Sequence, residues 1–401
     1  MEKALKDIRV LDFSHLLQGP FATQLLGDMG ADIIKIERAG KGDMFRGMTF
    51  FNEWVGGSES PSFLAWNRNK RSIALNLKSP RVHEILMDMA KTADVVVQNF
   101  RPGVMDRLGY GYEDFRAVND RIIYCSGSGY GESGPYVTRP GQDMLLQGLT
   151  GVASATGPAN SQPHPLGAGL PDQIGAMNMV YGILSALLWR ERSGKGQKVE
   201  VNLLAGLMAH LNQEYVSVLN LDRDFERPNS GIGHPGAEAP FGIYATKDGR
   251  HISIAMSSFH HLVTTLGAEH LLNYDSPDQL FSKRDEIWEK VNEVTQTFDC
   301  DPLLDLLLDA DVWTAEVKDF RGATEDPQVK HLGLIQSYTH PLAGEVQTVG
   351  PAVKMSETPA EITLPAPMIG EHGREILLEH GIDADEIDTL LSLGDMTIQT
   401  A

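Results

Sequence analysis

The spacing of apolar positions sets the first expectation. Residues 8–13, 32–36, 73–76, 94–98 and 121–125 are short, β-prone apolar runs, while residues 21–29 and 80–91 carry helical spacing. Gly30 closes the first helical stretch. Strands separated by helical crossovers make βαβ units and a parallel sheet with helices on its faces. The pattern predicts a Rossmann-like α/β layer across residues 1–200.

Beyond residue 201 the pattern changes. A helical stretch runs to 221, and a loop rich in Arg, Pro, Asn and Gly occupies 227–236. Two β-prone runs at 241–245 and 251–255 flank KDG at 247–249, which predicts a hairpin with a DG turn. Acidic helices follow to 330, and LPAPMIGEHG at 364–373 leads into a helix at 374–380. The expected organisation is a large Rossmann-like domain at 1–205, a linker helix at 206–225, a small α+β domain at 226–330, and a C-terminal segment at 331–401 that returns to the large domain. No internal repeat or low-complexity tract is visible.

Composition narrows the class. With 401 residues and 42% apolar content the chain can bury a sizeable core. Its start, MEKALKDIRV, lacks the apolar run of a signal peptide, and the apolar stretch at 180–189 is about half of a membrane span. A cytoplasmic location and no membrane partner are expected. Cys125 and Cys300 are the only cysteines, and reduced thiols are expected. The net charge of -20 argues against nucleic acid, which requires a basic footprint. That charge is uneven: residues 1–150 hold 18 Lys and Arg against 18 Asp and Glu, and the remainder 16 against 36. A polyanion would therefore bind the first third.

Asp172, in GAGLPDQIGAMN at 167–178, stands between glycines and a helical pattern running through Met177, Val180, Tyr181, Leu184, Leu187 and Leu188. It can be a helix cap at the positive end of the dipole. It can equally be a nucleophile that the glycines leave open to a substrate. The loop after the first strand, SHLLQGP at 14–20, lacks GxGxxG, and no GxxxxGK[ST] occurs, so neither NAD nor a P-loop nucleotide is expected. GSGYG at 127–131 is either a plain turn or a close approach to a ligand. The basic groups of the first third include Arg38, Arg68, Lys70, Arg71, Arg101, Arg107 and Arg139, and most of them are expected to be surface charge. Arg38 and Arg101 follow strand ends, where open α/β sheets bind ligands, and their planar forks suit phosphate. No HExxH or Cys/His cluster marks a metal site.

Taken together, LDFS and GP within residues 11–20, GADIIKIER at 30–38, NKRSIALN at 69–76, QNFRPG at 98–103, GP at 134–135, Asp172, SGKGQ at 193–197 and GEH at 370–372 resemble the class III CoA-transferases, the CaiB/BaiF or formyl-CoA transferase-like family. The resemblance covers nearly the whole chain. It implies a Rossmann-like domain built from both chain ends, a small domain, and a homodimer of two subunits threaded through each other like linked rings. It also implies that CoA, carried as an acyl-CoA, is passed to a free carboxylic acid through an aspartyl-CoA thioester, with Asp172 as nucleophile. By position, Leu17, Gln18, Arg38, Leu75, Asn99, Phe100, Arg101 and Arg107 match the family's CoA-contacting segments.

One subgroup, the α-methylacyl-CoA racemases, moves the proton α to the thioester with a His that precedes an Asp in the segment matching 140–143. Here that position is Gln142, which cannot exchange a proton at neutral pH but can hydrogen-bond an acyl oxygen or a carboxyl group. A racemase, or a silent CoA-binding subunit of a hetero-oligomer, remains the alternative. Phe50, Phe51 and Trp54 can line an acyl pocket, form a lid, or belong to a core or dimer interface. The glycine-rich loop GIGHPG at 231–236 is expected to be a flap that excludes water.

Overall fold

The structure, a computed structural model, describes residues 2–399. The chain forms two compact units: residues up to 146, 169–210 and from 327 onward in the first, residues 147–168 and 211–326 in the second.

In the first unit, β1 (Arg9–Asp12), β2 (Asp32–Arg38), β3 (Lys70–Leu75), β4 (Val95–Gln98), β5 (Ile123–Ser128) and β6 (Gln197–Asn202) pair in parallel. Parallel strands covered by helices on both faces read as continuous apolar runs, which is why β1 to β5 stand out in the sequence. The sixth does not. QKVEVN alternates charged and apolar residues because it is an edge strand, half exposed, and the helix expected from 201 instead starts at Leu203.

In the second unit, β7 (Gly242–Ala245) and β8 (His251–Ile254) form the expected antiparallel hairpin, and β9 (Thr314–Glu316) adds to its edge. Tyr244, Ile252 and Ile254 pack on helices that contribute Leu262, Ile287, Val291 and Leu303. Residues 147–168 also belong to this unit, where the Arg227 guanidinium donates to the carbonyls of Thr156, Ser161 and Gln162. The glycine-rich loop is fastened rather than free: Gly233 N donates to Phe241 O at 3.0 Å, and a Cβ on Gly231 would lie 2.6 Å from Ile243 O.

The chain then returns to the first unit. A hairpin of β10 (Ile335–His340) and β11 (Gly344–Val349) is followed by an extended stretch, two helices (Gly373–Glu379 and Ala384–Leu393), and β12 (Met396–Thr397), which pairs antiparallel with β3. The completed sheet has the order β12-β3-β2-β1-β4-β5-β6. One face is covered by the Pro80–Ala90 helix and the two C-terminal helices through Leu86, Met89, Ile376 and Ile387. The other is covered by the Gln18–Asp28 and Leu170–Ser193 helices through Leu26, Met179 and Ile183. Strand order reverses between β1 and β4, so the loops leaving their carboxyl ends diverge and open a crevice. Among the described residues no helix is long and apolar enough to cross a membrane.

Candidate active site

A cleft of about 1020 Å³ opens at that reversal. His15 and Leu16 line it from the turn after β1, Arg38 from the end of β2, Leu75 from the end of β3, and Asn99, Phe100 and Arg101 from the loop after β4. Five cationic side chains, those of Arg38, Lys41, Lys78, Arg101 and Arg139, face this one space. The acidic groups on the same wall are already engaged internally, Glu37 by Arg46 at 2.7 Å and Asp43 by Lys35 at 2.8 Å. Ile36, Leu75, Leu77 and Val137 supply apolar wall between the cations. Such a lining suits an anionic ligand with an apolar body.

The Asn99 side chain is a structural clamp. Its Oδ1 accepts from His15 N and its Nδ2 donates to His15 O, both at 2.8 Å, which ties the β1 and β4 loops together across the reversal. The His15 ring then stands edge-on to Phe100, 4.7 Å between centroids.

Beside the cleft, the far end of the same turn meets the Leu170–Ser193 helix. Gln18 is 4% exposed, and its Nε2 has no hydrogen-bond partner. A Cβ on Gly175 would sit 2.6 Å from that nitrogen, and one on Gly127 would sit 2.6 Å from Gln18 Oε1. Glycine at both positions lets the amide lie between helix and sheet. Asp172 is one turn earlier on the helix and partly buried. Burial pushes its carboxyl up to about 7, and the Asp143 charge adds to the rise.

Asp172 is not the helix cap. Gly169 occupies that position without a side-chain bond, Pro171 starts the helix early through its fixed φ, and Asp172 lies within the first turn. The carboxylate that accepts a first-turn N–H comes from elsewhere: Asp143 Oδ2 takes the Asp172 N–H at 3.2 Å. Asp143 stands at the start of the Asp143–Leu149 helix, and sequence reasoning assigned it no role. Its only signal is an acid following Gln142 at a helix start.

The sequence-derived residues fall into two groups joined by one turn. Arg38, Leu75, Asn99, Phe100 and Arg101 line the cleft. Leu17 and Gln18 lie on the Asp172 side, where a Cβ on Gly169 would approach Leu17 Cδ1 at 3.7 Å and Asp143 Oδ2 at 3.4 Å. Arg107 is exposed on the Val104–Leu108 helix and is not on the cleft wall, although its neighbour Leu108 is. The Gln142 side chain is exposed, and its carbonyl accepts from Leu145 and Leu146. In the GSGYG loop Gly129 and Gly131 line the cleft, and Gly129 packs directly on the backbone of Gly141. Phe50 and Phe51 are 61% and 94% exposed, which removes the reading of these aromatics as core. Among the described residues no group of His, Cys, Asp and Glu could hold a metal ion.

Residues 5–373 match the model of CoA-transferase family III. The chain is 34% identical to the succinyl-CoA:glutarate CoA-transferase of Mus musculus over 405 residues, covering 98% of this chain and 90% of that protein. It is 30% identical to a formyl-CoA:oxalate CoA-transferase of Bradyrhizobium sp. (strain ORS 278), covering 94% and 93%. A crystal structure of a CaiB/BaiF family protein from Brucella suis superposes with a TM-score of 0.83 at 28% identity, covering 95% of this chain and 100% of that one.

Proposed function

The chain belongs to CoA-transferase family III and is a CoA-transferase, and from that premise we propose that it moves CoA from an acyl-CoA to a free carboxylic acid through an aspartyl-CoA thioester on Asp172. The observation that carries the reading is the placement of the Asp172 carboxyl. It sits in the first turn of a helix that packs against the turn lining a cationic cleft, with its proton affinity raised.

The cleft suits the CoA portion. Arg38, Lys41, Lys78, Arg101 and Arg139 are available for phosphate groups, and the apolar wall for the adenine and pantetheine portions. In the first step an Asp172 oxygen attacks the thioester carbonyl, the C–S bond breaks, and a mixed anhydride and CoA thiolate form. The thiolate then attacks the aspartyl carbonyl, which releases the donor acid and leaves Asp172 as a thioester. The acceptor carboxylate repeats both steps in reverse order and regenerates the Asp172 carboxylate. A carboxylate of raised pKa is a better nucleophile than an ordinary one, and at about 7 roughly half of it is ionised at neutral pH. The unpartnered Gln18 Nε2 is a donor for the oxyanion that develops at each addition.

The named activities of the two transferase relatives make succinyl-CoA and formyl-CoA the first donors to try and short di-acids the first acceptors. A dimer is part of the reading: the Leu170–Ser193 helix leaves Met177, Tyr181, Leu188 and Trp189 at least half exposed, an apolar stripe that a second subunit would cover. Racemisation is the weaker alternative. A carboxyl near neutrality suits proton transfer, but Gln142 offers no second acid or base.

Intact-protein mass after brief incubation with succinyl-, formyl- and other acyl-CoAs tests the proposal. A mass gain matching CoA, absent in Asp172→Ala, supports it. No adduct, together with α-proton exchange in deuterated water, would favour the racemase; neither signal would favour a silent subunit.

A further inference from the structure

Set into the cleft wall is a buried charge pair that the transfer chemistry does not use. Lys35 and Asp43 have fully buried side chains, joined at 2.8 Å. Lys35, in mid-strand on β2, also donates to Ser14 O at 3.0 Å. Asp43 Oδ1 accepts from Leu16 N at 3.2 Å and from Phe45 N at 2.9 Å. Ser14 N in turn donates to Asp12 Oδ1 at 3.0 Å. With the Asn99 clamp on His15, backbone groups of three successive turn residues, Ser14, His15 and Leu16, are held by side chains. Leu16 has φ +65, a conformation an L-residue avoids unless its surroundings impose it. The turn is closed so tightly that a Cβ on Gly19 would overlap Ser14.

Burying two charges costs more than packing two apolar groups, and an apolar pair often holds a fold as well. An apolar pair could not accept the Leu16 and Phe45 amides together. Although burial opposes ionisation, Lys35 and His15 hold the Asp43 carboxyl below the ordinary range, so it is present as the charged acceptor.

We propose that Asp43 is a positioning residue: with Lys35 it holds Leu16 in its strained conformation and thereby fixes the placement of Gln18, two residues on, against the Asp172 helix. Cleft and nucleophile then communicate through this turn, because His15 and Leu16 face the one and Gln18 the other. The proposal rests on the transferase reading for its catalytic consequence, but not for the geometry.

The test is a double-mutant cycle on the full chain with Asp43→Asn and Gln18→Ala, reading kcat for thioester exchange and, by calorimetry, the affinity for CoA. Melting curves confirm that each variant is folded. Displacement of a catalytic group by a fraction of its working distance predicts a kcat lower by about 10- to 100-fold in Asp43→Asn. In the Gln18→Ala background the same change should cost less than about threefold, because the residue it acts through is gone. Equal losses in both backgrounds, or no loss in the first, would overturn the proposal. If Asp43→Asn does not fold, Asp43→Glu keeps the charge and moves it by one methylene, and the same criterion applies. If the wild type binds CoA but exchanges no thioester, the transferase reading fails and the cycle is judged on CoA affinity alone. Absence of CoA binding would overturn both.

Discussion

The Asp143 carboxylate accepts the backbone N–H of Asp172 at 3.2 Å and at the same time raises the proton affinity of the Asp172 side chain. One acid thus anchors the first turn of the Asp172 helix and raises the proton affinity of its carboxyl. Asp143→Asn keeps an acceptor oxygen and removes the charge. The Asp172 carboxyl should then ionise at lower pH, and the acid limb of the kcat/KM profile should move down from about 7. A pH–rate profile of the two proteins checks this; an unmoved limb would assign it to another group.

The same shift has a stability consequence. A carboxyl whose folded-state pKa is above its unfolded value binds more protons when folded. Stability is therefore fully present below the unfolded value near 3.8 and is lost as pH rises to about 7. The loss is up to about 4 kcal/mol, less where water reaches the group. Asp172→Asn should be more stable than wild type at pH 8 by a few kcal/mol and equal to it at pH 4. Urea denaturation at the two pH values measures the difference.

Substitution of Gly175 should separate folding from catalysis. In Gly175→Ala the new methyl would meet Gln18 Nε2 at 2.6 Å and Leu203 Cδ2 at 2.9 Å, both ends of flexible side chains that can yield. Alanine also favours a helix by up to about 1 kcal/mol. Stability should change by less than about 1 kcal/mol, whereas displacement of Gln18 should lower kcat by about tenfold or more. Thermal melting and steady-state kinetics on the same preparation test the pair of outcomes.

Arg38 and Arg101 approach the cleft from different strands. Each Arg→Ala change should raise the donor KM by about five- to tenfold, corresponding to about 1 kcal/mol of an exposed charged contact. The KM for the acceptor acid should stay unchanged. Initial-rate kinetics at two ionic strengths would show a smaller difference at high salt.

Much of the fold was legible because five of its strands are covered on both faces and so read as apolar runs. The alternating edge strand β6 and the two-residue β12 carry no such signal: one is half exposed, and the other is recognisable only by pairing with β3. The motif segments located the cleft, since Arg38, Leu75, Asn99, Phe100 and Arg101 all line it. They did not separate wall from support. Asn99 binds backbone with its whole amide, and Arg107 and Gln142 are exposed outside the wall.

By itself the sequence determined the α/β class, the family and a first third of balanced charge in an otherwise acidic chain, because periodicity, motif order and charge are properties of chain order. Only the tertiary structure decided that Asp143 anchors the helix of Asp172, that Gly175 makes room for Gln18, and that a buried Lys35–Asp43 pair holds the turn between them. Asp143 and Asp172 are 29 positions apart, and Leu16 and Asp43 are 27 apart. A hydrogen bond, a desolvated charge or an excluded methyl depends on distances that exist only once the strands are paired and the helices are laid across them.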